Sequence, residues 1–122
     1  MKNIIYIIAL FSIVCCNKKQ ETTSNNNAIS VVSSANGKLL FEASNCVSCH
    51  QPIEKVVGPS LQNIAQIYTS KKGNLVQFLK EEAEPIVDPE QYPSMKINLQ
   101  ITKSMTNEEL KSLELYILSY LK

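Results

Sequence analysis

The chain has 122 residues, which is enough for one small domain with appended segments. Its formal net charge is +1, so no strong electrostatic field favours a nucleic-acid partner. All 12 basic residues are lysines, and the absence of arginine removes the planar side chain that grips phosphate through two parallel hydrogen bonds. The function must therefore be found in specific residues and not in bulk charge.

The N-terminal segment, residues 1–16, has the pattern of an export signal. Lys2 supplies a short positive region, and the apolar run over residues 4–14 is too short to span a bilayer as a helix. Cys15 and Cys16 follow this run directly. The segment resembles a bacterial lipoprotein signal, which implies export, lipidation of Cys16 and a position on the periplasmic side of a bacterial membrane.

Two alternatives stay open for this segment. Lipidation of Cys15 would leave Val14 at a position where the lipoprotein pattern has a small residue, so Cys16 fits the pattern better. An ordinary cleaved signal would instead release a soluble periplasmic protein. Every version predicts export, and the versions differ in the presence and the position of the lipid anchor.

Residues 17–35 are rich in Asn, Ser and Thr and have no sustained apolar periodicity, which predicts a flexible tether. The folded domain is then expected to cover residues 36–122. Its first helix is predicted at about residues 36–45, where Leu40 and Phe41 are apolar. This helix leads directly into the most informative motif of the chain.

That motif is Cys46-Val47-Ser48-Cys49-His50, a C-x-x-C-H run. Its spacing lets two thiols add across the vinyl groups of a haem, and it places the histidine where a ring nitrogen can ligate the iron. A structural zinc site needs four Cys or His ligands, and the exported domain offers only Cys46, Cys49 and His50. Thioredoxin-like chemistry needs a βαβ pattern, which the sequence lacks. The motif therefore predicts one covalently attached haem c, held through Cys46 and Cys49 with His50 as an axial ligand.

The second to fourth helices are marked by their N-terminal caps. Ser60 caps the second helix and Asn74 the third, while Thr106 and Glu109 form a capping box for the fourth. The stretch 83–105, which contains three prolines, is expected to be irregular. No strand pattern of any length appears, so the predicted fold class is all-α, with about four helices and long loops around the haem.

The two faces of the iron need separate ligands. A ligating imidazole normally donates its second N–H to an acceptor that orients the ring, and the carbonyl of Pro59 is the candidate acceptor for His50. Because the chain has no second histidine, the other face must take methionine, lysine, tyrosine, the chain terminus or nothing. Met105 directly precedes the fourth helix, and packing of its side chain on Leu110 accounts for a methionine at that position. No such packing pattern accounts for a methionine at position 95. Met95 is the predicted sixth ligand, with Met105 or an open site as alternatives.

Residues 36–122 resemble a small bacterial class I cytochrome c. Gly37 and Phe41 match the G-x-x-x-[FY] pattern on the first helix of that family. Residues 46–50 match the attachment motif of the family, and residues 57–59 match its proline loop. Residues 93–95 resemble its distal loop, and residues 106–117 resemble its closing helix. The resemblance implies a class I fold in which the first and last helices cross, with an aromatic contact between Phe41 and Tyr116. One departure is Lys96, because many relatives have proline after the distal methionine.

Ligation of the iron by His50 and Met95 would fill both axial positions, so oxygen and peroxide could not bind without displacing sulfur. The resemblance implies a monomeric one-electron carrier of the bacterial cell envelope, not an enzyme. Implied partners are a quinol-oxidising complex and a terminal oxidase or reductase, with the membrane reached through the lipid anchor. Two other functions stay open: a haem-based ligand binder or peroxidase-like enzyme with an open distal site, and a fixed cytochrome subunit of a respiratory complex.

Charged residues around the distal loop could also orient a docking partner. Lys55 and Lys96 are the candidates for a basic rim opposite a run of acidic residues, although such a run is usually only a solvated face. The acidic run consists of Glu81, Glu82, Glu84, Asp88 and Glu90.

Overall fold

The computed structural model describes residues 31–122 of the chain. The predicted signal at 1–16, with its lipidation candidate Cys16, and residues 17–30 of the predicted tether lie outside the described residues. No helix in the described range is long and apolar enough to cross a membrane.

Residues 31–122 form six α-helices and one short 3₁₀ helix and contain no β-strand, which confirms the predicted all-α class. The α-helices are α1 (Ser34–Ala43), α2 (Leu61–Ser70), α3 (Leu75–Leu79), α4 (Tyr92–Lys96), α5 (Leu99–Lys103) and α6 (Asn107–Leu118). The 3₁₀ helix covers Cys46–Ser48. Helix α1 begins two residues earlier than predicted because Ser33 is its N-cap. Residues 34 and 35, assigned above to the tether, therefore belong to a helix.

The predicted caps of three helices are confirmed. Ser60 Oγ accepts the N–H three residues along the chain at 3.2 Å, and Asn74 Oδ1 accepts the equivalent N–H at 2.9 Å. At the start of α6, Thr106 Oγ1 accepts the N–H of Glu109 at 3.2 Å, and the Glu109 carboxylate accepts the N–H of Thr106 at 2.7 Å. These bonds satisfy N–H groups that have no partner within their own helix, which is why each helix begins where it does.

The prediction that residues 83–105 are irregular is wrong, because α4 and α5 lie within this stretch. Pro93 sits in the first turn of α4, where its missing N–H removes no helical hydrogen bond. Leu99 is fully buried, and the hydroxyl of Thr102 donates to the carbonyl of Leu79 at 2.6 Å. Burial of these two residues therefore fastens α5 to the end of α3, although neither short helix has a side-chain cap.

Helices α1 and α6 cross at close range and form the framework of the domain. At Gly37 an added Cβ would overlap the carbonyl oxygen of Ser112 and lie 2.8 Å from Cβ of Tyr116, so only glycine permits this approach. One turn further along α1, the rings of Phe41 and Tyr116 pack with centroids 5.4 Å apart at 58°. The helix crossing and the aromatic contact that the resemblance implied are both confirmed.

Replacing Gly37 with alanine should destabilise the haem-loaded protein. A helical alanine is intrinsically better than glycine by about 1 kcal/mol, but here the new methyl group meets the backbone of α6, which cannot move by side-chain rotation. We expect a net loss of about 1–3 kcal/mol, as in other overpacked sites, measured by urea denaturation.

Leu39→Ala is the control for this substitution, because Leu39 lies on the same helix and is 58% exposed. Its effect should stay within about 0.5 kcal/mol, as is usual for exposed positions. A Gly37→Ala variant as stable as the starting protein would show that the helices do not need this close approach.

Candidate functional site

The C-x-x-C-H motif forms a compact turn directly after α1. Asn45 has a left-handed backbone conformation (φ 56°, ψ 25°), which asparagine tolerates better than most residues, and it ends the helix. The N–H groups of Cys49 and His50 then both donate to the carbonyl of Cys46, at 3.2 and 3.0 Å. Both thiols and the imidazole line one cleft. Local backbone geometry thus brings the three predicted attachment and ligand residues to the same site.

The loop that follows His50 is held by backbone hydrogen bonds. The N–H of Gly58 donates to the carbonyl of Cys49 at 3.0 Å, so the loop closes on the motif itself. The N–H of Leu61 donates to the carbonyl of Gln51 at 2.9 Å, so the loop also satisfies the first turn of α2. These bonds fix the loop between the attachment motif and the start of α2.

The imidazole of His50 is held between Gly58 and the carbonyl of Pro59. Nδ1 lies 2.7 Å from the Pro59 carbonyl oxygen, so the contact predicted from the sequence is present. Because a carbonyl can only accept, Nδ1 carries the proton in this bond and Nε2 keeps the lone pair that a metal would need. A Cβ on Gly58 would lie 2.8 Å from Nδ1 and would overlap the ring edge. Glycine is therefore required for the ring to lie this close to the backbone of residue 58.

The two methionines of the described chain lie in different places. Met95, on α4, is half-buried and lines the same cleft as the thiols and the imidazole. Met105 packs against the core from outside the cleft and lines a separate groove beside Lys80 and Lys103. The structure therefore brings Met95, and not Met105, together with His50.

The cleft has a lining of the kind that cofactor sites have. Its wall is mainly aliphatic and aromatic, and Tyr68, Phe78 and Tyr92 follow one another along it with ring centroids 6.3 and 6.1 Å apart. The arrangement suits a large, flat and mostly apolar group.

Tyr68 adds a polar group to this wall. Its side chain is only 5% exposed, and its hydroxyl makes no hydrogen bond to another described residue. Burial raises the pKa of Tyr68, so the hydroxyl keeps its proton. The hydroxyl oxygen is not itself fully buried, since the described residues contain no fully buried side-chain N or O atom without a hydrogen-bond partner. The residues present thus fit a bound group that is mainly apolar.

The environment of the thiols fits covalent attachment. Within the described range, Cys46 and Cys49 are free, half-buried cysteines. Burial raises the pKa of the Cys46 thiol, with a smaller contribution from the neighbouring Cys49. Burial penalises a thiolate because it is charged, whereas a thioether carries no charge and pays no such penalty. The surroundings of Cys46 therefore stabilise the product of haem attachment better than they stabilise an ionised thiol.

One ion pair joins the segment between α3 and α6 to the loop after His50, and another lies within that segment. Lys55, in the loop after His50, pairs with Asp88 at 2.8 Å, and Lys96 pairs with Glu81 at 3.1 Å. The prediction of a basic rim opposite the acidic run is wrong, because both lysines contact acidic residues of that run. Asp88 lines the cleft, so the first of these pairs closes part of its wall.

Sequence reasoning missed three residues of the site. Tyr68 falls on the apolar stripe of α2 and looked like an ordinary core residue, while Asp88 looked like part of a solvated acidic face. Gly58 was identified only as part of the proline loop, residues 57–59, with no role of its own. A glycine beside the carbonyl that accepts from a ligating histidine is the one local signal that could have indicated close packing on the ring.

The pair between Lys55 and Asp88 should make folding stability depend on pH. Lys55 lowers the pKa of Asp88 in the folded protein below its ordinary value. The pair therefore stabilises the fold fully at pH values above the pKa of Asp88 in the unfolded chain, which is about 3.9. This stabilisation is lost as the pH falls through the lower pKa that Asp88 has in the folded protein. Asp88→Asn should therefore reduce the thermal midpoint slightly near neutral pH and leave it unchanged in strong acid. Thermal unfolding followed by circular dichroism at several pH values measures this.

Glu90→Gln provides the control, because Glu90 is exposed and makes no ion pair with another described residue. An equal reduction in both variants, or a reduction in Asp88→Asn that persists in strong acid, would contradict the assigned role of the pair.

Comparison with known proteins agrees with the site. Residues 34–120 match the family model described as Cytochrome c, which covers the attachment motif, the cleft and the closing helix. Comparison with curated proteins found no match. The helical architecture is consistent with the class I cytochrome c fold. The chain therefore belongs to the cytochrome c family of haem-binding electron-transfer proteins, whose haem c is covalently attached.

Proposed function

We propose that this protein is a one-electron carrier of the bacterial cell envelope, with haem c bound through Cys46 and Cys49 and with His50 and Met95 as axial ligands. The observation that carries the proposal is that these four side chains line one cleft. When bound there, haem supplies an iron that alternates between the ferric and ferrous states.

On the proximal side, His50 is prepared for ligation. The Pro59 carbonyl accepts from Nδ1 at 2.7 Å, which selects the tautomer with a free Nε2 and makes the imidazole a better electron donor. Gly58 leaves the space that the ring occupies, because a Cβ there would lie within 3.0 Å of three ring atoms. A ring that cannot turn keeps the same ligand geometry in both oxidation states, as electron transfer requires.

On the distal side, the groups near Met95 favour electron transfer over ligand chemistry. The neighbouring polar residues of the cleft wall are Gln91, Ser94 and Asn98, which are uncharged and supply no acid or base near neutral pH. Asp88 is already bound to Lys55. A soft thioether on iron favours the ferrous state and raises the reduction potential. A carrier therefore fits this wall better than a peroxidase-like enzyme does.

The proposed location depends on the N-terminal sequence. The signal pattern of residues 1–16 supports export and attachment of lipid at Cys16, with residues 17–30 as the tether above the periplasmic side of a membrane. A monomer on such a tether could reach both a quinol-oxidising complex and a terminal oxidase or reductase. Without the lipid, the same protein would be a soluble periplasmic carrier.

Replacing Met95 tests the proposal most directly. The purified ferric protein should show the near-infrared sulfur-to-iron band, and the reduced protein should not bind carbon monoxide. Met95→Ala should abolish the band, make the reduced protein reactive toward carbon monoxide and lower the potential, by a fraction of the roughly 0.8 V over which axial ligands tune haem. Absorption spectroscopy and redox titration measure these changes.

Met105→Ala is the matched control and should leave the band, the carbon monoxide inertness and the potential unchanged, since Met105 lies outside the cleft. Survival of the band in Met95→Ala would overturn the ligand assignment. Carbon monoxide binding by the unaltered protein would favour a ligand binder over a carrier.

Cysteine substitutions in the signal test the proposed anchor. Cys16→Ser should move the haem protein from the membrane fraction to the soluble periplasmic fraction, because the acyl chains that hold it are lost. Cys15→Ser should leave it in the membrane fraction. Fractionation and the mass of the mature protein measure this, and the reverse pattern would assign the lipid to Cys15. Co-purification with a respiratory complex after mild detergent extraction would indicate a fixed subunit.

A further inference from the structure

Glu81 follows α3 in a backbone conformation that normally suits glycine. Its φ is 64°, which lies in the left-handed region that most side chains avoid. The N–H of Glu82 donates to the carbonyl of Gln77 at 2.8 Å, so α3 ends in the hydrogen-bond pattern for which glycine is the common residue. A glutamate at this position brings a carboxylate to the end of α3 at a cost in backbone conformation.

The carboxylate of Glu81 binds two lysines from two different helices. One oxygen lies 3.1 Å from Nζ of Lys96 on α4, and the other lies 2.9 Å from Nζ of Lys103 on α5. The glutamate side chain is only 17% exposed. Hydrogen bonds from Lys103 and Lys96 lower the pKa of Glu81. We call this group of Glu81, Lys96 and Lys103 the distal clasp.

Helix α4 is attached to the core through two half-buried side chains, Tyr92 and Met95. None of its residues is buried, and it has no side-chain cap. Its lateral contacts include the ring of Tyr92 against Phe78, with centroids 6.1 Å apart. Helix α5, in contrast, is anchored by buried Leu99 and by the bond from Thr102 to the carbonyl of Leu79. The bond between Glu81 and Lys96 is therefore a further attachment, and it ties α4 to the end of α3.

Lys96 directly follows Met95 in the chain, so the clasp acts one residue away from the thioether. We propose that Glu81 is a positioning residue that holds α4 against the end of α3 and thereby keeps the Met95 sulfur in the cleft. This inference rests on the proposed function, in which Met95 is an axial ligand. The clasp makes loss of that ligand harder, and so suppresses binding of external ligands to the carrier.

The test is competition between Met95 and added imidazole in the ferric haem-loaded protein. Imidazole can bind only after sulfur leaves, so its apparent affinity reports how often α4 moves away. Glu81→Gln keeps the size of the side chain but removes its charge. The apparent imidazole affinity should rise about 1.5- to fivefold, the range expected for the loss of a partly exposed ion pair. Loss of the near-infrared band follows the titration.

Glu42→Gln is the matched control, because it makes the same substitution in a surface pair with Lys38 on α1, 3.9 Å apart. It should leave imidazole affinity unchanged. Glu81→Gly separates the effect of the backbone from that of the side chain. Glycine adopts the left-handed conformation without strain, and the substitution also removes the carboxylate. The clasp predicts that this variant binds imidazole as tightly as Glu81→Gln does. Affinity equal to that of the unaltered protein would assign Glu81 only a backbone role and overturn the proposal.

The failure of this inference is distinguishable from that of the proposed function. If Glu81→Gln and Glu42→Gln bind imidazole equally, the clasp is wrong, while loss of the band in Met95→Ala still supports the ligand assignment. If Met95→Ala keeps the band, the ligand assignment is wrong and the clasp loses its role with it.

Discussion

The side chains that form the hydrophobic core also line the cleft, and the rest of the structure depends on this overlap. Shared residues include Phe41 on α1, Tyr68 on α2, Leu79 at the end of α3 and Ile117 on α6. A domain of this size buries little apolar surface by itself, and the opening at its centre reduces that amount further. An apolar group bound there completes the core, so folding and cofactor binding become coupled in the way known for small metal-organised domains.

The two sides of the cleft are built differently. On the proximal side, backbone hydrogen bonds hold the loop after His50 to the attachment motif and to the first turn of α2. This loop leaves room for the His50 ring only because residue 58 is glycine. The distal side is a short helix without buried residues, joined to its surroundings by side chains. Under the proposed ligation by His50 and Met95, a rigid proximal ligand would face a more lightly held distal one, and the segment between α3 and α6 would control access to the cleft.

Sequence reasoning succeeded where the signal is contained in a few neighbouring residues. Ser60, Asn74 and the pair of Thr106 and Glu109 begin their helices as predicted, because a cap acts over three residues and needs no distant partner. The stretch 83–105 was misread because its three prolines suggested only breaks, whereas Pro93 lies in the first turn of α4. Helix α5 has no cap of its own. It is stabilised by burial of Leu99 against residues that lie far away in the chain, and local propensity carries no such information.

What the sequence determined by itself is therefore the helical class, the attachment motif and the acceptor for the His50 ring, since each follows from spacings of a few residues. Only the tertiary structure decided which methionine shares a cleft with that histidine, that Lys55 and Lys96 are bound to acidic residues of the same chain, and that Tyr68 belongs to the cleft wall. The physical reason is distance along the chain. Contacts between α3, α4 and the loop after His50 depend on how the helices pack, and no local pattern of residues specifies that packing.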